Sequence, residues 1–165
     1  MKYIIIGGVA GGATAAARLR RVDEKSDILL LEKGKYISYA NCGLPYYIGG
    51  VIDEREKLLV QTPASFGQRF RVDVRVENEV IGIHPQNKTI TVRTVDGGEY
   101  EETYDKLLLS PGATPVRPPL EGIDSEGIFT LRNVEDTDLG NGGKSASCRS
   151  LCICSGNGQS GNGTY

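Results

Sequence analysis

The chain has 165 residues, a near-balanced 19 Lys and Arg against 21 Asp and Glu, and a net charge of −2. That length buries one real core but falls short of the two or three domains most dinucleotide-dependent redox enzymes need. Scattered charges of both signs leave no footprint for nucleic acid or a membrane surface, and no apolar run reaches the ~18 residues of a membrane span. The first apolar run also gives way to glycine too soon for a signal peptide, so a cytoplasmic protein acting on a small molecule is expected.

In chain order, the apolar run Tyr3 to Ile6 meets the glycine turn Gly7-Gly8-Val9-Ala10-Gly11-Gly12. An alanine-rich segment and a second apolar run, closing on Glu32, follow. Short continuous apolar runs read as buried parallel strands. Glycines between strand and helix permit a tight turn and bring backbone N–H groups, with the positive helix end, against a pyrophosphate. Ala13, Ala15, Ala16 and Ala17 allow close helix-to-strand packing, and Glu32 stands twenty residues past Gly12, where a carboxylate reaches ribose hydroxyls. Val9 occupies the place of the middle glycine. An α/β unit with an empty turn is the plainer alternative to an adenine-dinucleotide site.

After Lys33-Gly34-Lys35 comes Tyr36 to Gly50, neither alternating nor strongly helical. Asn41 is expected to cap a helix from Cys42 to about Ile48, with Pro45 in its first turn and Gly49-Gly50 ending it. Cys42 would then sit at a helix N-terminus, where dipole and free N–H groups favour a thiolate. A buried structural cysteine is the alternative. Val51 to Leu59 reads as a polar connection, and Thr62-Pro63 as the cap and first residue of a helix over 64–70.

From Val72 the period changes to two. Val72–Val76, Glu79–Ile83, Thr89–Arg93 and Tyr100–Tyr104 alternate between turn signals and are expected to form a small antiparallel meander. His84, the only histidine, reads as a solvated loop residue. Lys106–Leu109 is another parallel strand, stopped by Ser110-Pro111-Gly112, which should lie beside the Gly7 turn. Pro115, Pro118 and Pro119 enforce an extended exit, and Ile128 to Leu131 is expected to be a further strand with Arg132 at its end.

The last 27 residues hold seven Gly, five Ser and three Asn with no acidic residue, and read as a disordered tail over 139–165. Cys148, Cys152 and Cys154 lack a C-x-x-C pair and a nearby His, so no metal site is expected.

The Gly7 turn, Ser38-Tyr39-Ala40-Asn41-Cys42-Gly43-Leu44-Pro45-Tyr46-Tyr47, Tyr104 to Ala113 and Thr130-Leu131-Arg132-Asn133 together resemble one family. It is the single-cysteine branch of the FAD-dependent pyridine nucleotide–disulfide oxidoreductases, comprising coenzyme A disulfide reductases, NADH oxidases and NADH peroxidases. Tyr47 stands where dithiol members carry a second cysteine. The Tyr39–Pro45 wording and the Arg20-Arg21 pair look closest to the coenzyme A disulfide reductases, including those fused to a rhodanese domain.

The resemblance implies a Rossmann-like FAD-binding domain over 1–138, with a parallel sheet, helices and a small meander. Gly7, Gly8, Val9, Ala10, Gly11 and Gly12 would hold the pyrophosphate, Glu32 and Lys33 the adenosine end, and Val80 the adenine region through backbone. Ser110, Pro111, Gly112 and Arg132 would hold the rest, with Asn41 and Cys42 at the isoalloxazine. Thr14, Arg18, Arg21, Ser38 and Asn41 would contact coenzyme A, although Arg18 and Arg21, three apart on a helix, equally suit a plain solvated face. Cys42 would be the redox-active residue, held as a mixed disulfide in the reductases or as a sulfenic acid in the oxidases and peroxidases. The family continues into an NAD(P)H-binding segment, a return segment and a homodimerisation domain. The expectation is therefore a truncated, inactive portion with a non-native tail; an inert nucleotide-binding fragment is the alternative from another class.

Overall fold

The computed structural model describes residues 1–126 and 128–141, with the side chains of 139–141 outside the description. Of the expected tail over 139–165, residues 142–165 with the three cysteines lie outside the described residues, while 139–141 end a helix and so do not begin a structureless tail. The chain divides into a first unit, Met1–Ala40 with Leu59–Gly112, and a second, Asn41–Leu58 with the residues from Ala113 onward.

In the first unit, β1 (Lys2–Ile6), α1 (Gly11–Val22) and β2 (Asp27–Leu31) form the expected βαβ unit, with Tyr3 level with Ile28 and Ile6 with Leu31 in parallel register. Both faces of the β1–β2 pair are covered, which is why these two strands are so nearly all apolar. On one face Ile5, Ile28 and Leu30 pack with Ala13 and Ala16 of α1 and with Ile37 and Phe66. On the other, Ile4, Leu29 and Leu31 pack with Ile90 and Val92. Each fully buried aliphatic side chain contributes about 1.5–3 kcal/mol.

Helix α3 (Pro63–Phe70) starts as the Thr62-Pro63 pair predicts. A reciprocal capping box forms: Ser65 N–H donates to Thr62 Oγ1 (3.2 Å) and Thr62 N–H to Ser65 Oγ (3.1 Å). The helix ends on Arg71 in the left-handed conformation, φ 50°. Glycine is the residue that takes this position without steric cost. Arg71→Gly is expected to raise stability by about 0.5–1 kcal/mol, read as a higher urea midpoint at unchanged slope.

One expectation fails next. Val72–Val76 does not join the meander: β3 (Asp73–Arg75) pairs parallel with β2, at the edge of a sheet ordered β3-β2-β1-β7, where β7 is Lys106–Leu109. Alternation cannot distinguish a parallel edge strand from an antiparallel one. The intervening α3 decides, because a crossover through a helix returns the chain parallel. The meander is therefore three-stranded: β4 (Asn78–His84), β5 (Thr89–Thr94) and β6 (Glu99–Thr103). His84 ends β4 and is exposed, its ring 3.1 Å from Thr91 Oγ1.

A charged network ties the meander to the parallel sheet. Glu102 pairs with Lys2 and, at 2.7 Å, with Arg75, which also meets Asp73 and the Tyr100 hydroxyl. Burial pushes the Glu102 carboxyl up, but hydrogen bonds from Lys2 and Arg75 outweigh it and hold it below the usual carboxylate range. A depressed folded-state value means stability present above the unfolded carboxylate range and lost as pH falls through the folded one. Thermal melts from pH 7 to 3 are expected to show Glu102→Gln about 1 kcal/mol less stable at pH 7, the difference closing at the acid end.

In the second unit a 3-10 turn (Asn41–Gly43) precedes α2 (Leu44–Ile48), and a second 3-10 turn spans Arg55–Leu58. The helix begins at Leu44 with Gly43 as N-cap and no side-chain cap, so Asn41 does not cap it and Cys42 is not its first residue. The sequence Gly-Leu-Pro explains the shift, since proline is tolerated only in a first turn and so fixes the start at Leu44. Ile128 to Leu131 forms no strand. Ile128 N–H donates to Ser125 in a turn, and Arg132 N–H to Asp136 Oδ2 (2.6 Å), so the run's end is committed to a helix cap. That helix, α4 (Val134–Asn141), begins with Asp136 N–H on Asn133 Oδ1 (2.8 Å) and Asn133 N–H on Asp136 Oδ2. Leu44, Leu58, Val134 and Thr137 are buried. No helix among the described residues is long and apolar enough to cross a membrane.

Candidate functional site

Around the turn joining β1 to α1, the glycine positions leave no room for a side chain. Gly7 has φ 95°, and a Cβ there would lie 2.0 Å from the Ser110 carbonyl oxygen. At Gly12 it would lie 1.7 Å from the Gly7 carbonyl oxygen, at Gly11 2.5 Å from Ser110 Oγ, and at Gly8 2.7 Å from Ile37 Cγ2. Two turns at the ends of adjacent strands therefore touch backbone to backbone, as expected for Ser110. Gly7 N–H donates to Leu31 and Ser110 N–H to Ile6, both at 2.8 Å, which fixes the pair. At the start of α1, Ala10 provides no side-chain cap, and the first turn carries no acidic residue. Its leading N–H groups thus have neither an intrahelical acceptor nor a capping carboxylate from the first turn, the arrangement that receives an anion. Val9 is half-buried and Ala10 exposed.

Glu32, just past β2, accepts from Gly8 N–H on Oε2 (2.7 Å) and Gly34 N–H on Oε1 (2.9 Å). Each oxygen keeps acceptor capacity, so the carboxylate is held rigidly and can still receive two hydroxyls. Lys33 is exposed beside it. Val80 lies in β4 at a register shift and packs against the Ile4–Leu31 face.

A cavity of about 260 Å³ runs along α1, lined by Val9, Ala10, Thr14, Ser38, Gln61 and Phe70 among others. Ser38 adopts φ 47° and is locked by backbone bonds: its N–H donates to Gly8 (3.0 Å), and its carbonyl accepts from Val60 (2.9 Å) and Gln61 (3.3 Å). Thr14 and Ser38 are thus brought together. Arg18 is not with them: it borders a different, apolar hollow with Leu19, Val22 and Leu108. Arg21 is exposed. Gln61 and Arg69, which also line the Thr14 cavity, carry no signal in the sequence, because their place depends on how α3 packs beside α1.

In the second unit Cys42 is a free, exposed thiol in the Asn41–Gly43 turn. Asn41 Oδ1 is shielded from solvent and accepts no hydrogen bond from the described residues. Arg132 Nε donates to the carbonyl of Ala113 (2.8 Å) in the same unit; in the first unit Pro111 and Gly112, the latter at φ 74°, are exposed.

The family model for pyridine nucleotide-disulphide oxidoreductases matches residues 1–161. The chain belongs to that family. It is 47% identical over 138 residues to a coenzyme A disulfide reductase of Staphylococcus aureus, covering 83% of this chain and 31% of that protein. It therefore spans about a third of the length of the curated relatives it matches. Among solved structures, reduced Bacillus anthracis CoADR-RHD superposes with a TM-score of 0.83 at 54% identity, over 86% of this chain and 26% of that one. An NAD-dependent persulfide reductase from A. fulgidus gives 0.78 at 39% identity, over 84% and 26%. The fold of the family is the Rossmann-like arrangement described above, a parallel sheet with helices plus a small antiparallel sheet.

Proposed function

We propose that this chain is the FAD-binding portion of an NAD(P)H-dependent disulfide reductase acting on coenzyme A disulfide, with Cys42 as its single redox-active thiol. The observation that carries the reading is the glycine cradle against Ser110, in a chain 47% identical to a coenzyme A disulfide reductase. The residues present fit FAD: a cradle that any Cβ would fill, a helix start without a capping acid, and a carboxylate pinned at the end of β2. When bound, FAD supplies the electron relay between a nicotinamide and sulfur.

The chain's own residues bind and orient. Gly7, Gly8, Gly11 and Gly12 with the start of α1 receive the pyrophosphate, Glu32 takes ribose hydroxyls with Lys33 beside it, and Val80 meets the adenine through backbone. Ser110, Pro111, Gly112 and Arg132 hold the remainder. Thr14 and Ser38 bind coenzyme A in the cavity along α1, Asn41 offers its amide oxygen, and Arg18 and Arg21, exposed and outside that cavity, would meet the phosphates. The Cys42 thiolate attacks one sulfur of the disulfide; that S–S bond breaks, one coenzyme A thiolate leaves, and a Cys42–coenzyme A disulfide remains. Reduction of that mixed disulfide to two thiols takes two electrons, which NAD(P)H would supply by way of bound FAD as a hydride, and a further proton from water.

Mass spectrometry of the non-reduced protein tests this. A coenzyme A adduct on Cys42, released by reductant and absent from Cys42→Ser, is the expected result. A sulfenic acid trapped by dimedone would favour an oxidase or peroxidase, and an unmodified thiol under both treatments would contradict any redox role.

A further inference from the structure

We infer that Arg20 is a positioning residue for the substrate cavity, holding the end of α3 against α1 and so setting the wall made by Arg69 and Phe70; this rests on reading that cavity as the coenzyme A site. Arg20 spends its guanidinium on five backbone carbonyls. Nε donates to Phe70 (2.9 Å) and Nη2 to Arg71 (2.7 Å), both at the end of α3. Nη1, with two protons, is shared among Asp23 (3.2 Å), Glu24 (2.9 Å) and Ser26 (2.8 Å), in the loop from α1 to β2.

The terminal carbonyls of a helix have no intrahelical donor, and a single side chain here satisfies two of them at α3 while closing the loop after α1. It also explains why Arg71 is tolerated in the left-handed conformation, since the donor from Arg20 holds its carbonyl there. Arg69 and Phe70, adjoining the clamped carbonyls, line the cavity, and the Arg69 guanidinium lies 5.4 Å from the Phe70 ring centre. The cavity's opposite wall, Thr14 and Ala17, is on α1, the helix that carries Arg20. The clamp thus spans the cavity's two walls at one end. Lysine cannot replace it, having one nitrogen where the fork presents three.

The test places Arg20→Lys in an Arg71→Gly background, which removes the strained residue, keeps the carbonyl and offsets lost stability. Calorimetry of the full chain measures desulfo-coenzyme A, an unreactive analogue, and FAD separately. The expected result is desulfo-coenzyme A bound at least about tenfold more weakly than by Arg71→Gly alone, with FAD affinity within about twofold. Equal affinity for desulfo-coenzyme A overturns the inference, as does a parallel loss of both ligands, which would mark a merely structural arginine. Failure of the unaltered chain to bind desulfo-coenzyme A at all overturns the reading of the cavity, and the inference with it.

Discussion

Replacing Gly12 with alanine is expected to cost at least about 4 kcal/mol and to abolish nucleotide binding. The new methyl would lie 1.7 Å from the Gly7 carbonyl oxygen, a backbone atom, with Ile5 Cγ2 a further 3.0 Å neighbour. Neither yields cheaply, because Gly7 is fixed by Leu31 and Ile5 is fully buried. Relief requires α1 to lift from β1, which opens the contacts of Ala13 and Ala16 with Ile5 and Leu30. A loss of that size is a large part of the ~5–15 kcal/mol that holds an ordinary domain together. Gly97→Ala is the control: it has φ 86° but open space around its Cβ position, so only the conformational cost of about 1–2 kcal/mol applies. Urea unfolding of the two variants separates steric exclusion from backbone strain.

Glu32→Ala is expected to lower stability by about 3–6 kcal/mol and to weaken FAD binding at least about tenfold. Two backbone N–H groups, of Gly8 and Gly34, lose a charged acceptor, and hydrogen bonds to charged groups contribute roughly 1.5–3 kcal/mol each. The affinity loss has a separate cause, the missing partner for the ribose hydroxyls, worth about 1.4 kcal/mol per tenfold. Glu32→Gln keeps one acceptor and should fall between the two in both measurements. Equal FAD affinity of all three would remove Glu32 from the site while leaving its structural role.

The βαβ unit was readable because one short stretch carries several independent constraints: apolar runs of strand length, glycines where a Cβ meets backbone, and an acid after β2. The Ser110 turn was readable for the same reason, since a parallel strand ending in Ser-Pro-Gly must stop level with β1. Val72–Val76 is ambiguous because its period reports faces and not partners, and the partner is chosen by α3, which starts 36 residues after β2 does. The helix from Val134 has a signal in Asn133 and Asp136, which form its capping box, while the apolar Ile128–Leu131 has the composition of a strand but nothing to pair with among the described residues. At the candidate site, Thr14 and Ser38 were legible from the family resemblance. Gln61, Arg69 and the Arg20 clamp were not, because each depends on α3 lying beside α1.

The central claim, that the Gly7 turn and Glu32 form the adenine-dinucleotide end of a flavin site, is tested most directly by calorimetric titration of FAD into the purified chain, with ADP and riboflavin as competitors. The charge-matched partners, the α1 N-terminus and Glu32, address the ADP half. The account predicts one FAD per chain, displaced by ADP and not by riboflavin. Binding of neither FAD nor ADP would contradict it.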